Sequence, residues 1–119
     1  MMRAFWERLI FQYLSYDDYS KPLFDRKIKT AMIYTMNAPE SILAQIGYEK
    51  TMQAYERMLQ AYFGNSTGLR STETLQVADY SKYHMASFNE ADRKRRRAEV
   101  FPKDCEIAYA LGKSMAAAK

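Results

Sequence analysis

The alternation of helical and extended patterns constrains this chain more than any other feature. From Met2 to Leu14 the apolar residues Met2, Phe5, Trp6, Leu9, Ile10 and Tyr13 fall at offsets 0, 3, 4, 7, 8 and 11, a broad stripe at helical spacing. Lys27 to Met36 contains the short, continuously apolar run Ala31 to Tyr34, which suits a strand covered on both faces. A long helix is expected from about Pro39 to Phe63, and a second strand from Thr72 to Asp79. A strand, a crossover helix and a strand make a βαβ unit, which is parallel. With a helical end after Glu90, the order is α-β-α-β-α, an α/β pattern. Two parallel strands alone would leave apolar edges with nothing to pair. Residues 1–119 are therefore expected to form a single partial domain, its missing half supplied by upstream chain or another subunit.

Local signals set the boundaries. Pro22 closes a polar, tyrosine-rich loop from Ser15, and Pro39–Glu40 supplies proline and an acid to a first helical turn. Ile42, Ile46, Met52, Tyr55, Leu59 and Tyr62 lie near one face of the long helix, with Gly47 and Tyr48 disturbing its register. Gly64–Asn65 is a helix stop. Ser87 and Glu90 have capping-box spacing, and Asn89 is an alternative cap. Phe101–Pro102 should interrupt the last helical stretch, whose second piece buries Ile107, Ala108, Leu111 and Met115 and frays over Ala116 to Lys119.

Composition removes several classes of function. Nearly half of the 119 residues are apolar, enough for a core. The ten tyrosines, six phenylalanines and eight methionines serve as core filler or as an adaptable surface for a flat ligand or a partner chain. No apolar run approaches the roughly 20 residues that span a bilayer, so no membrane partner is expected. Cys105 is the lone cysteine, which excludes an internal disulfide and a cysteine-built metal site and fits a reducing cytoplasm. The net charge of +4 is compatible with an anionic ligand. Five cations from Arg93 to Arg97 circle a helix axis at about 100° per residue, so they cannot all face one phosphate backbone. The run reads as a solvated helix face, and no nucleic-acid partner is expected.

Catalytic patterns are sparse. His84, the only histidine, has no nucleophile or metal-ligand partner at useful spacing and reads as a loop residue. Asp17 and Asp18 read as a solvated turn, and no metal site is expected. The four glycines are too scattered to cradle a phosphate. In open α/β sheets the ligand sits beyond the carboxyl ends of the strands. That rule selects Thr35, Met36, Asn37 and Ala38 after the first strand, and Asp79 to Met85, with Tyr80, Tyr83 and His84, after the second.

Met2-Arg3-Ala4-Phe5-Trp6-Glu7-Arg8-Leu9 resembles the helix after the third strand in flavodoxin-like NAD(P)H-dependent FMN reductases and their iron–sulfur flavoprotein relatives. Ala31 to Asn37 and Asp79 to Tyr83 are similar to that family's last two strand ends, and Phe101-Pro102-Lys103-Asp104 to the start of its final helix. The resemblance spans nearly the whole chain but lacks the family's phosphate-binding loop. It implies the C-terminal portion of a flavodoxin-like three-layer α/β sandwich, α-β-α-β-α with parallel strands and the N-terminal βαβ half missing, and an FMN-binding oxidoreductase. Electrons would pass from NAD(P)H to a quinone, flavin or protein acceptor. By that resemblance Thr35, Met36, Asn37, Tyr80 and Tyr83 are flavin neighbours, and the fragment alone should bind FMN weakly. The alternative is a non-enzymatic α/β interaction module, homo-oligomeric through its exposed sheet edges.

Overall fold

The computed structural model describes residues 2–117; Met1 and the Ala118–Lys119 part of the expected frayed end lie outside it. Helix α1 (Met2–Phe11) leads to strand β1 (Thr30–Thr35), helix α2 (Tyr48–Phe63) and strand β2 (Ser66–Ser71). Helices α3 (Glu90–Glu99) and α4 (Phe101–Ala116) follow. The two strands are parallel, in register from Thr30 opposite Ser66 to Thr35 opposite Ser71. The chain is thus mixed α/β with four helices and a two-stranded parallel sheet among the described residues.

The second strand lies six residues before the expected Thr72 to Asp79. Gly64, at φ 112°, stops α2 in a backbone region closed to other residues. Pairing then begins at once: the Ile28 N–H donates to the Phe63 carbonyl at 2.7 Å and the Thr30 N–H to that of Asn65 at 2.9 Å. Residues 72–79 become the loop beyond the strand's carboxyl end. The long helix is also shorter than expected. Pro39 caps a 3-10 turn over Glu40–Ile42, and Gly47, at φ 80°, resets the direction so that α2 begins at Tyr48. At the C-terminal end Asn89 is the cap, its side chain accepting from the Asp92 N–H. The expected break falls at Val100, with Pro102 in the first turn of α4.

The layers follow from strand alternation. Met32 packs into the cluster of Trp6, Leu59 and Phe63, and the Tyr34 hydroxyl donates to the Met52 carbonyl at 3.2 Å, so this face carries α2 with α1 beside it. Tyr13 and Phe24 close the cluster edge-on to Phe63. Burial and the Glu56 carboxylate push the Tyr34 hydroxyl pKa up to about 12. Ile33, Thr35, Leu69 and Ser71 point to the other face, across which α4 brings Phe101, Asp104, Cys105 and Ala108. No residue of α4 is fully buried: Ala108, Leu111 and Met115 are half-covered, and Ile107, expected in the stripe, is exposed.

The molecule is not compact. Its radius of gyration is 17.7 Å, against about 13.5 Å for a globular domain of this length. Its accessible surface of 8955 Å² exceeds by about 2,300 Å² what a folded monomer of this mass exposes. No helix among the described residues is long and apolar enough to cross a membrane.

Candidate functional site

The carboxyl ends of both strands are stitched into one rim. The Met36 N–H donates to the Ser71 carbonyl at 3.0 Å, and the Thr74 N–H and hydroxyl both return to the Met36 carbonyl, at 3.0 and 3.1 Å. The Glu73 N–H reaches the Ala38 carbonyl at 3.3 Å. To make that turn Glu73 adopts φ 54°, the left-handed region that side chains resist.

The strained position carries a charge cluster. Glu73 accepts from Arg93 at 2.9 Å through one carboxylate oxygen and faces Arg96 at 3.4 Å through the other. Arg96 also donates to the Thr72 carbonyl, and the Ser71 hydroxyl donates to Asp104 at 2.6 Å. The cation run is therefore divided, and the expectation of a solvated face is corrected. Arg93 is 8 % exposed and Arg96 half-buried, whereas Lys94 and Arg95 pair locally with Glu90 and Asp92. Arg97 lies over the Phe101 ring at 4.0 Å. The Glu73 carboxylate, on the loop after β2, draws Arg93 and Arg96 inward, which one-dimensional charge counting cannot reveal.

The sequence-selected residues divide into three groups. Met36 and Asn37 sit on the rim, and the Asn37 Oδ1 is sealed from solvent with no partner among the described residues. Thr35 instead faces α4, on a cavity of about 100 Å³. Tyr80 is buried behind the rim, where its hydroxyl accepts from the Gln76 N–H at 3.2 Å. Gln76 in turn donates to Thr74. Tyr83 and His84 are exposed, on the segment that the shift of β2 carries away from the strand end. Glu73, Arg93, Arg96 and Asp104 are not among the residues the strand-end rule selects; the signals for them are an acid, Glu73, inside an expected strand, and the cation run, which reads as a solvated face.

The rim does not enclose a flavin. Its cavity, lined by Ser71 to Leu75 with Arg96 and Asp104, is about 10 Å³, room for a single water. Arg96 is committed to Glu73 and Arg97 lies over the Phe101 ring, and Glu73 and Asp104 oppose an added phosphate. Met36 and Asn37 stand at the carboxyl end of β1, and the buried Asn37 Oδ1 has no donor among the described residues. No group of metal-ligating side chains occurs among the described residues.

Comparison with family models, curated proteins and solved structures returned no match.

Proposed function

We propose that this chain is the C-terminal part of a flavodoxin-like, FMN-binding NAD(P)H oxidoreductase, contributing one wall of the flavin site. The observation that carries this reading is the rim itself. Parallel strands with helices on both faces bring Met36 and Asn37 to the carboxyl ends, where doubly wound folds bind ligands, and leave the Asn37 Oδ1 sealed and unsatisfied. FMN, when bound, supplies the redox chemistry. This chain's residues would shape the ring's surroundings: Met36 gives a polarisable contact and Asn37 accepts one hydrogen bond. The phosphate must be held elsewhere, since the rim's cavity has no room for it and Glu73 and Asp104 oppose it. The test is an absorbance spectrum at about 350–500 nm of the protein purified from its own cells with whatever it assembles with. Flavin bands are expected there, reduced in occupancy by Asn37→Ala, and absent from the chain purified alone. A native assembly without flavin would refute the reading.

A second reading is favoured by the surface excess of about 2,300 Å², which is on the scale of an obligate interface. In it the chain is a non-enzymatic α/β module that works by assembling, and light scattering of the native material would show an oligomer without flavin bands.

A further inference from the structure

We infer that the outer edge of β1 is a receptor slot for one added β-strand: an extended, uncharged polypeptide segment with apolar side chains on both faces. The inference does not rest on the flavin reading. Its first support is backbone parity. In a parallel ladder alternate residues bond to one neighbour. The bonds made by the N–H groups of Thr30 and Met36 assign the even residues of β1 to β2. The peptide groups of Ala31, Ile33 and Thr35 therefore face away from β2, and among the described residues no third strand pairs with that side.

The second support is the shape beside that edge. A groove of about 530 Å³ runs along Ile28 to Met32. Phe5, Trp6 and Leu9 of α1 wall it on the α2 side of the sheet, and Met115 of α4 stands on the opposite side. A segment lying there meets apolar walls above and below, which is the environment of an inner parallel strand.

The geometry also selects the occupant. A second copy of β1 arrives with α2 on one face and α4 on the other. A helix is about 10 Å wide and covers two strands spaced about 4.8 Å apart, so the slot's own α1 and α4 already fill those positions. Only a strand bare on both faces enters. An uncharged segment is required because Lys29 is the one charged side chain among the described residues lining the groove and could pair at most one buried charge.

The experiment uses the chain with a blocked ten-residue peptide, Lys-Val-Ile-Val-Ile-Ala-Val-Ile-Gly-Lys, and a control in which every second residue is glutamate. Trp6, the only tryptophan, reports binding by fluorescence, and amide hydrogen exchange reports where the peptide lies. The expected result is saturable one-to-one binding of the first peptide only. Exchange at Ala31, Ile33 and Thr35 should slow by about tenfold or more, with no change at the β2 outer-edge amides. Ile33→Pro deletes one outward N–H while sparing the ladder to β2, and should weaken binding by about tenfold or more. Phe5→Asp places a charge on an exposed part of the wall and should do the same while leaving the far-ultraviolet circular dichroism unchanged. Equal binding of the glutamate peptide, protection at β2 instead, or protection of the three amides by self-association of the free chain would each overturn the inference. Flavin absorbance is read separately in the same samples, so loss of one proposal does not entail loss of the other.

Discussion

Glu73 and Arg93 permit a prediction in which the two halves of one ion pair have unequal worth. Arg93 is 8 % exposed, and the Glu73 side chain 28 %. Removing one partner of a buried pair costs about 3–5 kcal/mol, because a charge is left unpaired in a poor dielectric. Glu73 retains some water, so the figure must be reduced. In Arg93→Met the carboxylate keeps Arg96 at 3.4 Å, and methionine refills much of the volume; the expected loss is about 1 kcal/mol or less. In Glu73→Gln both guanidinium groups lose their counter-charge, and that of Arg93 stays buried; the expected loss is about 2–3 kcal/mol. The double variant should be no less stable than Glu73→Gln, because the stranded cation is gone. Urea unfolding followed by circular dichroism, with all four proteins in one cycle, measures these differences. The reasoning fails if Arg93→Met is as destabilising as Glu73→Gln, or if the two losses simply add.

Two further predictions concern the sheet and its turns. The folded state holds the Tyr34 proton to about pH 12 and the unfolded chain to about pH 10, so its contribution is complete below pH 10 and declines between the two. Two units set a ceiling of about 2.7 kcal/mol, and partial solvation of the ring brings the expected loss to about 1 kcal/mol. Urea midpoints from pH 9 to 12 should fall less steeply in Tyr34→Phe than in the parent protein, and identical slopes would disprove the assignment. Gly64→Ala and Gly112→Ala should have opposite signs. At Gly64 the added Cβ has room, its nearest neighbour being the Ile28 carbonyl at 3.4 Å, but φ 112° costs about 1–3 kcal/mol. At Gly112, inside α4 with open space around it, alanine should stabilise by about 0.5–1 kcal/mol, and a lower thermal midpoint there would refute the helix-propensity argument.

What could be read in the sequence depended on whether a local signal and the tertiary outcome coincided. β1 was legible because Ala31 to Tyr34 is a continuous apolar run inside a parallel sheet, and the start of α4 because Pro102 can occupy only a first turn. β2 was not, since Ser-Thr-Gly-Leu-Arg-Ser has a single aliphatic residue and no strand pattern of its own. It is a strand because Gly64 turns the chain beside Lys27 and Ile28, and the ladder with β1 does the rest. That displacement propagated into the site. The sequence pattern puts Asp79 to Met85 at a strand end, yet the strand end is Ser71, and Tyr80 keeps a link to the rim through Gln76. The ion cluster was hidden for a related reason: Glu73 and Arg93 are separated by 20 positions and meet only because α3 returns across the β2 loop.

The distribution of burial then connects the edge of the sheet to the stability of the whole. One face has a closed core, Trp6 with Leu59 and Phe63, whereas the other is spanned by a helix with no buried residue. If roughly 55–60 % of the surplus surface of about 2,300 Å² is apolar, covering it would return about 30 kcal/mol of gross hydrophobic free energy at ~25 cal/mol per Å². Chain ordering consumes much of that, but a domain of this length holds only about 6–18 kcal/mol in net stability. Recovering a modest fraction would therefore change the fold's stability as much as its entire existing margin. Protection of the β1 edge and stability of the Trp6 cluster should rise together when the slot is filled, because α1 is a wall of the slot and a member of the core.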